Sequence, residues 1–376
     1  MYYKNARIFG PDLQFHRGAF QVKGGVFGAV LPTAVPKNAV DLHGATVIPG
    51  LVDIHTHGNC GMEFAPGDAQ DVNAMSRYFL SQGITSFLPT AMAVPLDTLV
   101  PWKEIKALRK SPAPNCARVL GLRLEGPFLS PGKKGAQKEA YLKAPEVLEF
   151  QKLYDRWDGY IPMVDLAPEL PGAEVFTEAV SKLCTVSVSH TEADYETAKI
   201  VFSKGATHLT HLFNAMPGIH HRQPGVIAAA AENPQVRAEL ICDGIHVHPA
   251  AVRLAFSLFG GHRMVLVSDS GPCCGLQEGS SFSLGGQPAV LEEGVGHLPD
   301  GTIACSAIDL YQGMVNAIFF GIEETDAVRA ATYNPACAVH MQDRIGSIAP
   351  GKLADFIICR RDYTGKRVFL GGKEIR

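Results

Sequence analysis

The chain has 376 residues, 46% of them hydrophobic and 19% charged, with 34 Lys and Arg against 37 Asp and Glu for a net charge of −3. That balance excludes binding to nucleic acid or an anionic membrane through bulk charge. No run approaches the ~20 apolar residues of a membrane helix, and the start, "MYYKNARIFG", lacks the basic segment and apolar run of a secretory signal.

Nine cysteines are scattered along the chain with no CxxC spacing. They read as reduced, packed thiols and so point to the cytoplasm. Residues 1–46 alternate short apolar runs with turns, as in "ARIFGPDLQFHRGAFQVKGGVFGAV". The tail, "GSIAPGKLADFIICRRDYTGKRVFLGGKEIR", has the same character. Neither end can bury a sheet face alone, so residues 1–47 and 347–376 are expected to combine into one small β-sandwich.

Between them, eight β-branched apolar runs alternate with helix-length segments. The runs fall at 45–58, 83–92, 117–128, 160–170, 184–190, 206–216, 238–247 and 263–270. "DAQDVNAMSRYFLSQG" (68–83) and "EADYETAKIVFSKG" (192–205) read as amphipathic helices with a glycine at the C-cap. Apolar strands alternating with helices predict a parallel sheet, and eight units fit a (β/α)₈ barrel over 48–346. A β-hairpin insert is expected near 281–303. No GxGxxG follows the first strand, which removes the usual dinucleotide fingerprint.

In such a barrel the chemistry lies at the C-terminal strand ends. Strand one ends in His55 and His57 of "DIHTHG", strand three in Glu125 of "LEGPF", strand five in His190 and strand six in His211. Strand seven offers Asp243 and His246, and strand eight ends in Asp269. A single histidine in such a place is ordinarily structural. Four of the chain's fourteen histidines plus one glutamate, converging on one rim, predict a site for Zn²⁺ or Fe²⁺. Asp269 could cap the next segment. Its position on the same rim instead predicts a carboxylate that takes and returns a proton.

This set resembles the amidohydrolase superfamily. Within it, "GLRLEGPFLSPGKKGA", "THLTHLFNAMPG", "CDGIHV" and "NPACAVH…GSIAPGKLADFII" resemble the N-acetylglucosamine-6-phosphate deacetylase family, in consistent order over about 40–360. The resemblance implies a metal-dependent hydrolase that removes the acetyl group of N-acetylglucosamine 6-phosphate, leaving glucosamine 6-phosphate and acetate. It implies a main metal site at Glu125, His190 and His211, with room for a second ion at His55 and His57. Asp269 would be the catalytic acid/base, and His246 would orient the substrate or polarise the amide carbonyl. Asn214, Ala215 and Arg222 would hold the sugar phosphate, with Ala136, Ile303, Ala304 and Cys305 lining the sugar site. A homodimer is implied, with a neighbour's loop completing the phosphate pocket; no nucleic acid or membrane partner is.

The lysine-free "VDLAPEL" of strand four weighs against subgroups bridged by a carboxylated lysine. Three departures touch sugar recognition rather than the metal. Ser268-Asp269-Ser270 stands where the family has Thr-Asp-Ala, Gln137 where histidine is common, and "IACSA" puts Cys305 in place of glycine. The alternatives are a deacetylase of N-acetylgalactosamine 6-phosphate or an N-acyl amino acid, a phosphatase or nuclease on the same barrel, and a non-catalytic scaffold.

Overall fold

The computed structural model describes residues 1–64, 69–95, 102–111 and 113–375. Eight parallel strands run in order: β1 Leu51–Thr56, β2 Ile84–Ala91, β3 Arg123–Phe128, β4 Met163–Leu166, β5 Thr185–Val188, β6 His208–Leu209, β7 Arg237–Ile241 and β8 Met264–Val267. All their residues except Arg237 are buried. Burial on both faces is why these strands read as continuous apolar runs rather than alternating ones.

No ladder joins β8 to β1. The gap is bridged where Asp269 N–H donates to His55 O at 3.0 Å and His57 N–H to Ser270 O at 2.7 Å. The HxH pair and the strand-eight aspartate therefore meet at the closure of the barrel.

Helices cover the outside. The predicted 68–83 helix is observed as Ala69–Ser81, and residue 68 lies outside the described residues. The predicted 192–205 helix spans Tyr195–Ser203, capped by Asp194, whose carboxylate accepts from Thr197 N–H at 2.8 Å. Such a cap is worth about 1 kcal/mol. Its buried face is Ala198, Val201 and Phe202, and the chain leaves through Gly205 at φ +113°.

Both chain ends meet in one eight-stranded sheet. Tyr2–Phe9, Phe15–Lys23, Val26–Val30, Val40–Asp41 and Thr46–Pro49 come from one end, Phe356–Cys359, Arg367–Leu370 and Lys373–Glu374 from the other. Tyr3 and Phe369 lie three strands apart, roughly 14 Å in a flat sheet. Their ring centroids are only 6.2 Å apart, and Phe20 and Phe356 close to 5.2 Å. The sheet curls onto itself around these aromatics, so the two layers of the expected sandwich are halves of one continuous sheet. Thr46–Pro49 passes through Gly50 into β1, and a side chain there would meet Thr85 Oγ1 at 2.2 Å. Only glycine fits this approach.

The insert after β8 is larger than a hairpin. Ser281–Leu284, Gln287–Glu292, Val295–His297 and Ile303–Ser306 form a four-stranded antiparallel sheet. Its apolar face, Leu284, Ala289, Leu291 and Cys305, packs on Met92 and Cys273 beside the barrel mouth. Ser306 N–H donates to Asp269 O at 2.9 Å, which ties the insert to the end of β8.

Candidate metal centre

The predicted ligands converge. Glu125 Oε1 lies 3.2 Å from Nε2 of both His190 and His211, and those two nitrogens are 3.1 Å apart. His57 Nε2 is 3.3 Å from Glu125 Oε2, and His55 Nε2 is 3.4 Å from Oε1. Asp269 Oδ1 stands 3.4 Å from Nε2 of both His55 and His57. Two groups able to hold an ion, His55–His57–Glu125 and Glu125–His190–His211, therefore share Glu125.

The rings are aimed from behind. His190 Nδ1 donates to Lys133 O at 2.7 Å, His57 Nδ1 to Thr90 O at 3.1 Å, and His55 Nδ1 to Glu239 at 3.0 Å. A proton fixed on Nδ1 leaves the Nε2 lone pair for a metal, the usual device of metal-binding histidines. His55 Nε2 is buried with no hydrogen-bond partner among the described residues. An orphaned ring nitrogen between two carboxylates fits a cation.

Charge agrees with geometry. Burial disfavours ionised Glu125, yet the His55 charge and hydrogen bonds from His190 and His211 hold its carboxyl well below the usual range. Burial likewise opposes ionised Asp269, but His55 and His57 hold its carboxyl low as well. Burial pulls the His57 ring down, and hydrogen bonds to Asp269 and Glu125 lift it to about 9. The carboxylates thus draw protons onto rings that face one another. A divalent cation would take the place of those protons.

Below the candidate ligands lies a buried network that the strand-end reading missed. Arg123 is fully buried, donating to Ile54 O at 3.1 Å, to Asp165 at 3.0 Å, to Thr210 Oγ1 at 2.9 Å and to Glu239. Glu239 also accepts from His208 Nε2 at 3.0 Å and from His211 N–H at 3.3 Å. A signal was present in the strands. Arg123 precedes Glu125 by two residues, and the period-two alternation of a strand puts both on the inner face.

His57, Glu125, His190 and His211 open into a cavity of about 360 Å³, also lined by Lys133, Ala136, Gln137, Asn214, Ala215, His246, Asp269, Ile303 and Ala304. Its rim is sharply turned: His190, His211, Phe213, Ala215 and Asp269 all have positive φ, between +25° and +78°. Left-handed backbone at non-glycine residues costs about 1–3 kcal/mol each and gathers at functional sites. These turns also end β6 after two residues, where the sequence predicts a longer strand. His246 is held by Asp243, whose Oδ2 lies 2.5 Å from Nδ1. Burial lowers that ring's pKa, and the hydrogen bond it donates to Asp243 more than restores it.

Two expected contacts are absent from the cavity wall. Arg222 is exposed and paired with His221 Nε2 at 2.7 Å. Its loop, "HHRQPG", carries polar residues that solvent satisfies. Cys305 is 1% exposed, with Sγ turned to Cys273 Sγ at 3.5 Å. It packs below Gly271, where an added Cβ would meet its Sγ at 2.2 Å. Lys133 supplies a cation that the sequence reading passed over, although "PGKKGA" displays it beside "LEGPF". The asparagine side chain of Asn214 turns back to His211 O and Leu212 O at 3.4 and 3.3 Å.

A parallel barrel with two carboxylate-linked histidine groups at its mouth and an aspartate ending strand eight defines a metal-dependent amidohydrolase. Residues 46–375 match the model of the amidohydrolase family. The N-acetylglucosamine-6-phosphate deacetylase of Bacillus subtilis (strain 168) is 35% identical over 85% of this chain and 81% of its own length. The N-acetylgalactosamine-6-phosphate deacetylase of Escherichia coli O157:H7 is 29% identical over 94% and 93%. The structure of an aspartate-to-alanine mutant of N-acetyl-D-glucosamine-6-phosphate deacetylase from Mycobacterium smegmatis, in complex with N-acetyl-D-glucosamine-6-phosphate, superposes with a TM-score of 0.90. It is 28% identical and covers 99% of this chain and 98% of that one. The chain belongs to the amidohydrolase family, and within it to the N-acetylglucosamine-6-phosphate deacetylases.

Proposed function

We propose that this chain hydrolyses the acetamido group of N-acetylglucosamine 6-phosphate, releasing acetate and glucosamine 6-phosphate. The observation that carries the proposal is Asp269, whose Oδ1 stands 3.4 Å from both His55 and His57 in the wall of the ligand-lined cavity. Glu125, His190 and His211 hold the main divalent ion, zinc or iron, and His55 and His57 offer a second place. The ion supplies Lewis acidity, towards a water molecule and towards the amide carbonyl.

The chain's own groups do the rest. Asp269, ionised at neutral pH, takes the proton of the attacking water and returns it to the amine nitrogen as the C–N bond breaks. His246, kept a hydrogen-bond donor by Asp243, orients the substrate and steadies charge growing on the carbonyl oxygen. Lys133, Asn214 and Ala215 receive the sugar phosphate, with Ala136, Ile303 and Ala304 along the sugar. Binding energy from the remote phosphate then places the amide against Asp269.

Arg222 does not line its own cavity, and we assign it to the phosphate bound in a second copy, which makes the working unit a homodimer. Arg222→Ala should raise KM for the phosphorylated sugar by roughly tenfold to a hundredfold, the worth of a charge-assisted contact. KM for the unphosphorylated sugar should not change. Steady-state kinetics on the two substrates check this, and equal effects on both would remove Arg222 from phosphate binding.

The direct test is acetate release by purified protein. Activity should disappear on chelation and return with Zn²⁺ or Fe²⁺. Release of phosphate instead of acetate would overturn the assignment. The likeness to the N-acetylgalactosamine-6-phosphate deacetylase, with Gln137 where the family commonly has histidine, favours one other reading, the galacto sugar. A higher kcat/KM on that sugar would establish it. Nine free thiols accord with a cytoplasmic place for the reaction.

A further inference from the structure

Gln137 lies in the cavity wall and is 3% exposed. Ala93 N–H donates to its Oε1 at 2.7 Å, and a backbone N–H can only donate. The amide orientation is therefore fixed, and Nε2 donates to Glu125 Oε2 at 2.6 Å. Turning the amide over would set its NH₂ against Ala93 N–H and its carbonyl against a carboxylate. The loop cannot drift either, because Gln287 Nε2 of the insert donates to Ala136 O at 2.8 Å and Gln137 N–H to Lys134 O at 3.0 Å.

The two oxygens of Glu125 have different neighbours. Oε1 faces His190 and His211 at 3.2 Å each and His55 Nε2 at 3.4 Å, while Oε2 lies 3.3 Å from His57 Nε2. Gln137 touches only Oε2. We propose that Gln137 sets the order in which the two ion sites fill. Its N–H takes electron density from the oxygen on the His57 side, and puts the positive end of the amide dipole beside the His55–His57 site. The Glu125–His190–His211 site keeps an oxygen that Gln137 does not touch and fills first. The second ion binds more weakly even though every ligand for it is present. This inference rests on the reading of Glu125 as the shared ligand. It makes Gln137 a positioning residue that acts through Glu125.

The test is equilibrium dialysis of metal-free protein against Zn²⁺, with bound zinc counted by elemental analysis. Wild type should bind a first ion tightly and a second roughly tenfold or more weakly, the scale of one charge-assisted hydrogen bond. Gln137→Leu removes the donor, and Gln137→Glu replaces it with a further carboxylate oxygen while keeping an acceptor for Ala93 N–H. Both should tighten the second step by about tenfold and leave the first within about threefold. If Gln137→Leu folds poorly with Ala93 N–H unpaired, Gln137→Glu carries the measurement. Unchanged or weaker second-ion binding in the folded variants overturns the role of Gln137. A first ion that binds Glu125→Gln as tightly as wild type overturns the shared-ligand reading instead.

Discussion

Asp269→Asn is expected to lower kcat by about three orders of magnitude while the chain stays folded and keeps one ion per molecule. Asparagine has the shape of aspartate and tolerates the left-handed backbone found here, φ +47°. The backbone bonds that seat the residue, Asp269 N–H to His55 O and Ser306 N–H to Asp269 O, do not involve the carboxylate. Glu125, His190 and His211 are untouched. The change removes only an ionised oxygen able to carry a proton from water to the amine. Metal analysis beside a steady-state acetate assay checks both halves. Wild-type turnover would end the acid/base role, and loss of all metal would recast Asp269 as a ligand of the main site.

Arg123→Met should lower stability by about 3–5 kcal/mol, because it leaves buried carboxylates without their counter-charge. Asp165 and Glu239 are both fully buried, and Arg123 lies between them. Methionine fills much of the volume and supplies no donor. The effect extends to the metal, since Glu239 holds His55 Nδ1 at 3.0 Å and His211 N–H at 3.3 Å. Disturbing such supporting partners typically weakens metal affinity 10- to 100-fold. Urea unfolding of the metal-free protein gives the first number and zinc titration the second. A loss below about 1 kcal/mol would mean that His55 and His208 suffice to compensate Glu239.

The barrel was legible because its strands are buried on both faces, which writes them as runs such as "RMVLVSDS". The candidate ligands were legible for a related reason. Histidines at the ends of such runs have no packing purpose, and strand ends share one rim. Boundaries were less legible where the backbone turns against its residue preferences. Strand six reads as 206–216 but pairs only at His208–Leu209, because His211, Phe213 and Ala215 take positive φ to aim the loop. No propensity announces that.

Cys305 shows a second kind of limit. Its place beside the sugar depended on which way one strand residue points, and a shift of one position exchanges cavity for core. Arg222 depended on where an exposed loop projects, and local sequence carries no record of that. Arg123 and Glu239, on strands separated by more than a hundred residues, read as ordinary charges interrupting apolar runs.

The sequence by itself therefore determined the barrel and its rim of nitrogen and oxygen donors, because periodicity and residue chemistry are local properties, and its motifs carried the resemblance to the amidohydrolases. The tertiary structure alone decided that Glu125 is shared, that Gln137 donates to only one of its oxygens, and that Arg123 and Glu239 support the histidines from below. Those facts are distances between residues far apart in the chain, and they exist only once the barrel has closed.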